Sequence, residues 1–186
     1  MLREQAVSAL ASARNGAVTV AIMQAGAPWH DAGQADVHHL DAQGCMGSAS
    51  SIGLGLALAQ PARKVLVLDG DGSLLMQLGS FVSVAGLAPA NFYHFIFDNG
   101  VHQSSGNQPV PAAGKFDFCR LALAAGYAGA HSFAEYEALR TALPGILEKP
   151  GPLLVRLEIA REDTPARWPK AKMADQVAAM KTALTG

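Results

Sequence analysis

The sequence predicts an α/β fold, a doubly wound, mostly parallel sheet with helices on both faces. Short apolar segments alternate with longer segments of helical spacing, which is the pattern of repeated strand and helix units. Several strand segments are apolar at every position, as strands covered on both faces are. The 186 residues are 50% hydrophobic and 16% charged, which is enough for one buried core.

The first half of the chain contributes three predicted strands. A helix begins the chain because Leu2, Ala6 and Leu10 have helical spacing, and Asn15-Gly16 ends it. We expect, in order, a helix at 3–14, a strand at 17–23, a loop at 24–34, a strand at 37–40, a helix at 48–60 and a strand at 64–69.

The second half continues the same alternation. We expect a helix at 74–87, a strand at 92–97, a polar loop at 98–114, helices at 116–125 and 134–147 and a strand at 153–157. Residues 1–160 are therefore predicted to form the domain, and residues 161–186 a tail that ends in a helix over about 172–184.

Charge and composition argue against several classes of protein. The 14 basic and 15 acidic residues give a net charge of −1, so a nucleic-acid partner is not expected. The start of the chain lacks an uninterrupted apolar segment, and other apolar stretches stop well short of the roughly 20 residues that cross a bilayer. We expect a cytoplasmic protein without a membrane partner.

The cysteines and histidines show no sequence pattern of a metal site or of a disulfide framework. Cys45 and Cys119 are too few for a disulfide scaffold and too far apart to form a ligand pair, so we expect both to be buried apolar side chains. Five of the six histidines show no metal-ligand spacing; they are His30, His38, His39, His94 and His131. His38 and His39 are adjacent, so they would not lie on one face of an element.

The segment Gly70-Asp71-Gly72-Ser73 follows a predicted central strand, at the sheet edge where ligands bind in such folds. It begins like a dinucleotide-binding fingerprint, but Leu75 occupies the third glycine position, which argues against a dehydrogenase. A carboxylate in this turn would repel a bound diphosphate unless a cation lay between them. Mg²⁺, which prefers oxygen ligands, fits that position.

A second oxygen donor follows the next predicted strand, in Asp98-Asn99-Gly100. Taken singly, Asp71 is also explained as a helix cap and Asn99 as part of an ordinary Asn-Gly turn. Because the two residues end neighbouring strands, we favour a shared magnesium site.

These motifs resemble the thiamine-diphosphate-binding motif, which is written as GDG, a spacer and NN. GDGSLLMQLGS and FDNGVHQSSGNQ are similar to the small, cofactor-binding subunits of sulfopyruvate and phosphonopyruvate decarboxylases. The likeness covers about residues 1–160 and departs from the wider family at Asp98, where asparagine is usual.

The resemblance implies roles for individual residues. The side chains of Asp71 and Asn99 and the carbonyl of Val101 would hold Mg²⁺. Gly70, Gly72 and Ser73 would lie against the diphosphate, and the amides of Gly72 and Ser73 would contact it. Gln24 and Gly26 would make further contacts with the diphosphate.

A second glycine-containing loop, 44–47, resembles the loop on which the aminopyrimidine rests. The carbonyl of Gly44 would accept a hydrogen bond from the pyrimidine amino group, and Met46 would hold the cofactor bent, with Cys45 as a bystander. His102 is a weak candidate for proton transfer, and Ser104 and Ser105 would lie near the cofactor.

The resemblance also implies a missing part. In such enzymes a glutamate that activates the cofactor comes from a separate pyrimidine-binding domain, and 186 residues are too few for both domains. No glutamate lies at a strand end where the family would place it; the glutamates are Glu4, Glu135, Glu137, Glu148, Glu158 and Glu162. We therefore expect a separate pyrimidine-binding (alpha) subunit, a hetero-oligomer, and no activity from this chain alone.

The resemblance implies decarboxylation of a small 2-oxo acid. A carboligase similar to acetolactate synthase would use the same cofactor chemistry, and a non-catalytic cofactor-binding module would keep the same fold. The sequence does not separate these alternatives or identify the substrate.

Overall fold

The computed structural model describes residues 1–163 and 167–185. Its strands are β1 (Val18–Ala21), β2 (His39–Asp41), β3 (Val65–Gly70), β4 (Phe92–Asp98), β5 (Val101–His102), β6 (Gln108–Pro109), β7 (Gly129–Phe133) and β8 (Leu153–Glu158). Six of them form one sheet in the order β2-β1-β3-β4-β8-β7. All of its neighbours pair in parallel, whereas β5 and β6 form a separate antiparallel pair.

Helices cover both faces of this sheet. They are α1 (Arg3–Ala13), α2 (Gly26–Asp31), α3 (Ala49–Ala59), α4 (Asp71–Met76), α5 (Ser80–Leu87), α6 (Phe118–Ala125), α7 (Tyr136–Leu147) and α8 (Met173–Thr185). Short 3₁₀ turns occupy Met23–Ala25 and Gln103–Ser105. No helix among the described residues combines the length and apolar character needed to cross a membrane.

The core consists of two apolar layers separated by the sheet. Leu66 and Leu68 of β3 pack with residues of α1 and α7, whereas Val65 and Val67 pack with residues of α3 and α5. Successive side chains of a strand point to opposite faces, so one strand contributes to both layers. The predicted α/β fold with a parallel sheet covered on both sides is confirmed.

The order of the strands places a crevice at one edge of the sheet. From β1 the chain moves outward to β2, and it then returns to form β3 on the other side of β1. Ligands in such sheets bind beyond the carboxyl ends of the strands at this point of reversal. The segments that follow β1 and β3 therefore flank a candidate binding site.

A loop prediction and a helix prediction were wrong. The expected loop at 24–34 contains α2, because Pro28 lies in the first turn of that helix, where its missing N–H costs nothing. The expected helix at 74–87 is two helices, α4 and α5, separated at 77–79. Because α4 begins at Asp71, the glycine-containing turn is itself the first turn of a helix.

Other differences lie at the periphery of the sheet. The edge strand β7 was not predicted, since GAHSF mixes small and polar residues and is only partly buried. The expected loop at 98–114 contains the β5–β6 pair. Cys45 and Cys119 are free thiols and partly exposed, rather than buried as expected. The helix expected at 172–184 is α8, while the boundary between domain and tail stays a prediction.

We expect Gly53→Ala to destabilise the chain, because α3 approaches β3 closely at this position. A Cβ on Gly53 would lie 2.2 Å from Val67 Cγ2, and overpacking of this kind costs about 1–3 kcal/mol. The free energy of unfolding in urea measures the effect. Gly55→Ala in the same helix is the control, since no atom lies within 4 Å of its added Cβ. Equal stability of the two variants would contradict the packing argument.

Candidate active site

A pocket lies beyond the carboxyl ends of β1, β3 and β4, at the edge where the strand order reverses. Most of the residues singled out from the sequence line it: Gln24, Met46, Gly70, Asp71, Gly72, Ser73, Asn99, Val101, His102 and Ser104. Gly26, Gly44 and Ser105 are not among its lining residues. The fold thus brings together four segments of the sequence, which contain Gln24, Met46, residues 70–73 and residues 99–104.

Asp71 connects two of these segments. Its carboxylate is buried, with Oδ1 accepting a hydrogen bond from the N–H of Gly72 at 2.7 Å and Oδ2 accepting one from the N–H of Gly100 at 2.7 Å. Each carboxylate oxygen retains a lone pair for another partner. Asp71 therefore fixes the loop after β4 against the first turn of α4.

The surroundings of Asp71 disfavour its negative charge. Burial raises its pKa to about 7, the hydrogen bond from Gly72 opposes this shift, and the negative charge of Asp98 adds to it. A nearby cation would offset both the lost hydration and the repulsion between the carboxylates. The site thus has the electrostatic character of a cation site.

Asn99 and Asp98 face different surroundings although they are adjacent. Asn99 lines the pocket, where its Oδ1 accepts from the N–H of Val101 at 3.1 Å and its Nδ2 donates to Gln103 Oε1 at 3.2 Å. Asp98 does not line the pocket, and its carboxylate accepts a 2.6 Å hydrogen bond from Nε of Arg156 on β8. The residue that departs from the family motif is therefore outside the pocket lining.

The loop at 44–47 is attached to the same helix turn. Ser73 Oγ accepts a hydrogen bond from the buried N–H of Gly47 at 3.0 Å, and Met46 contributes to the pocket wall. The N-cap residue of α4, Gly70, offers no side-chain acceptor, so the first turn includes N–H donors without an intrahelical partner, apart from the N–H of Gly72, which donates to Asp71 Oδ1. These donors suit an anionic group.

Gln24 supplies the clearest indication that the pocket accommodates a polar ligand. Its Nε2 is buried and lacks a hydrogen-bond partner among the described residues. A buried unsatisfied donor costs about 1–3 kcal/mol. Because Gln24 lines the pocket, a ligand with an acceptor oxygen would satisfy this atom.

Sequence reasoning missed Arg3, which brings a positive charge to the pocket. Its guanidinium is buried, bonded to Glu162 Oε2 at 3.1 Å and also to Gln103 Oε1. No local motif marks this residue. The topology places Arg3 at the pocket. Helix α1 ends near the amino end of β1, so its first residue, Arg3, lies at the edge of the sheet formed by the carboxyl ends of the strands.

Comparison with known proteins identifies the type of domain. A family model described as "Thiamine pyrophosphate enzyme, C-terminal TPP binding domain" matches residues 16–157. Phosphonopyruvate decarboxylase of Streptomyces hygroscopicus is 47% identical over 121 residues, which cover 65% of this chain and 30% of that protein. Sulfopyruvate decarboxylase subunit beta of Methanothermobacter thermautotrophicus is 51% identical over 70 residues, covering 38% of this chain and 37% of that subunit.

A solved structure has the same fold. The thiamine diphosphate-dependent 4-hydroxybenzoylformate decarboxylase of Rhodococcus jostii RHA1 superimposes with a TM-score of 0.73 at 20% sequence identity, over 88% of this chain and 33% of that chain. In each comparison the matched part of the chain therefore covers only about a third of the length of the other protein.

We expect Ser73→Ala to destabilise the chain by about 1–3 kcal/mol, because the buried N–H of Gly47 loses its acceptor. Urea denaturation measures the change. Ser83→Ala, on the exposed side of α5, is the control and should change stability by less than about 0.5 kcal/mol. A Ser73→Ala chain as stable as the control would show that this hydrogen bond does not hold the loop.

Proposed function

Because the chain belongs to the thiamine pyrophosphate enzyme family, as its C-terminal TPP binding domain, we propose that it is the cofactor-binding part of a 2-oxo acid decarboxylase. The proposed enzyme uses thiamine diphosphate and Mg²⁺ and is of the sulfopyruvate or phosphonopyruvate type, as the names of its relatives suggest. The observation that carries the proposal is the buried carboxylate of Asp71, which lines the same pocket as Asn99.

The residues present fit the cofactor and its metal. Asp71 and Asn99 offer a carboxylate and an amide oxygen, the hard ligands that Mg²⁺ prefers. With the carbonyl of Val101 they would hold the ion, which would offset the unfavourable surroundings of the Asp71 charge. The N–H group of Ser73 and the unpartnered Nε2 of Gln24 would bind the diphosphate. The diphosphate contacts expected of Gly70 and Gly72 stay predictions, since the N–H of Gly72 already donates to Asp71 Oδ1 at 2.7 Å.

The aminopyrimidine would rest on the loop that Ser73 attaches to α4. Met46, which lines the pocket, would hold the cofactor bent. The roles of Gly44 and Gly26 stay predictions, since neither residue is part of the pocket lining.

Decarboxylation of a 2-oxo acid needs an acceptor for the electrons of the broken bond, and the thiazolium ring of thiamine diphosphate supplies it. The chain's own residues would position and shield that ring. Ile22, Phe97 and Ile159 form an apolar part of the pocket wall, which would limit the access of water. His102 lines the same pocket and is a candidate proton carrier. The ring of His102 contacts the turn at Gly72, where an added Cβ would lie 2.3 Å from Nδ1.

A second polypeptide completes the proposed site. No glutamate among the described residues lines the pocket, so the group that activates the pyrimidine would come from a pyrimidine-binding partner subunit. The name "subunit beta" of a relative supports such an arrangement. The cytoplasmic location expected from the sequence stays a prediction.

The activity is tested on the complex isolated through an affinity tag on this chain from the organism that encodes it. Release of CO₂ from sulfopyruvate or 3-phosphonopyruvate, dependent on thiamine diphosphate and Mg²⁺, is the expected result. Formation of acetolactate from pyruvate, without release of an aldehyde, would instead identify a carboligase. Absence of both reactions from a complex that binds the cofactor would indicate a non-catalytic module.

We expect Asp71→Asn to weaken Mg²⁺-dependent binding of thiamine diphosphate by roughly thirtyfold or more, because loss of one partner of a buried charge pair costs about 2 kcal/mol or more. Calorimetric titration of the complex with the cofactor at saturating Mg²⁺ measures the change. Asp175→Asn, an exposed carboxylate at the start of α8, is the control. Unaltered cofactor affinity in the Asp71 variant would contradict the metal assignment.

We expect Met46→Gly to lower kcat more than it lowers cofactor affinity, since the proposed role of Met46 is to shape the bound cofactor rather than to hold its diphosphate. Steady-state kinetics and cofactor titration of the same complex separate the two effects. Equal losses of kcat and affinity would show that Met46 acts only in binding.

A further inference from the structure

A second cluster of metal-ligating side chains lies outside the cofactor pocket, where α2 meets β2. His30 Nε2 lies 2.7 Å from Asp41 Oδ2, and His39 Nε2 lies 3.0 Å from Asp41 Oδ1. One ligand atom from each residue falls within 4.8 Å of the other two. The histidines show no metal-ligand spacing in the sequence, but tertiary contacts between α2 and β2 bring His30 and His39 together around Asp41.

Neighbouring residues hold these side chains in place. Thr19 Oγ1 of β1 lies 2.8 Å from His39 Nδ1. Gln176 of α8 donates from Nε2 to Asp41 Oδ2 at 2.8 Å and accepts from the N–H of Asp41 at 3.0 Å. Hydrogen bonds of this kind orient the ligands in protein metal sites.

We propose that His30, His39 and Asp41 form a binding site for a transition-metal ion of the Zn²⁺ type, separate from the magnesium site of the cofactor. Two imidazole nitrogens and one carboxylate oxygen are a ligand set that zinc accepts, whereas Mg²⁺ prefers oxygen ligands alone. His39 and Asp41 are buried, while the His30 side chain is 29% exposed. Ion entry and a fourth ligand, such as water, come from the side of His30.

Binding of the ion would replace the contacts within the cluster. Zinc to nitrogen distances are about 2.0–2.1 Å, so the side chains would adjust around the ion and the two hydrogen bonds to Asp41 would give way to bonds to the metal. Each neutral imidazole then binds through Nε2 and carries its proton on Nδ1. In His39 that proton is donated to Thr19 Oγ1, which is already at hydrogen-bonding distance.

Such an ion would link the periphery of the fold to the pocket. It would join α2 to β2, and through Gln176 to α8. Gly26, the first residue of α2, packs directly on the cluster, since an added Cβ would lie 2.7 Å from Asp41 Oδ1. The residues just before it, Gln24 and Ala25, line the cofactor pocket. The metal would therefore stabilise one wall of that pocket.

The test titrates the full chain, after treatment with EDTA and removal of any affinity tag, with Zn²⁺ alone by calorimetry and with Co²⁺ alone by visible absorbance. We expect one ion per chain, a rise in Tm and a d–d band of nitrogen-ligated Co²⁺. His30→Gln and Asp41→Asn should each weaken binding at least tenfold. His38→Gln is the matched control, because His38 is adjacent to the cluster in sequence but contributes no ligand atom to it.

Several results would overturn the proposal: less than one ion per chain, affinity unchanged in His30→Gln, or affinity lost equally in His38→Gln. Asp71→Asn separates this site from the magnesium site, since it should leave Zn²⁺ binding unchanged. Loss of Zn²⁺ binding in that variant would place the ion in the cofactor pocket and refute the second site. Far-UV circular dichroism in EDTA checks folding, and His30→Gln, at a partly exposed position, still decides the matter if Asp41→Asn does not fold.

Discussion

The candidate active site depends on one buried carboxylate. Asp71 accepts hydrogen bonds from Gly72 in its own helix turn and from Gly100 in the loop after the next strand. Those two contacts fix the relative positions of the segments that carry Ser73 and Asn99. The same burial makes the charge of Asp71 unfavourable without a cation. The structural role of Asp71 and its proposed role as a metal ligand therefore both follow from the burial of its carboxylate between these two segments.

Much of this arrangement was predictable from the sequence because its causes are local. Val65 to Leu68 are apolar at every position, which indicates a strand covered on both faces, and the parallel sheet follows from the alternation of such strands with helices. Asp71 and Asn99 each follow a strand directly, and parallel strands end at one edge of the sheet. Their presence in one pocket therefore required no knowledge of distant contacts.

The features that sequence reasoning missed depend on tertiary structure. Arg3 reaches the pocket only because α1 runs back along the sheet. Strand β7 contains few apolar residues and lies at the edge of the sheet, with a neighbouring strand on one side only. Its sequence therefore lacks the pattern of a buried strand. His30 and Asp41 come together across a helix and a strand, so their spacing in the sequence carries no signal of a cluster.

We propose that Asp71 and Asn99 bind the metal that anchors thiamine diphosphate. The most direct measurement is a crystal structure of the complex grown with thiamine diphosphate and with Mn²⁺ replacing Mg²⁺, in which anomalous scattering locates the ion. We expect one anomalous peak at coordination distance from the side-chain oxygens of Asp71 and Asn99, in contact with the diphosphate. A cofactor bound in this pocket whose metal peak lies away from both side chains would contradict it.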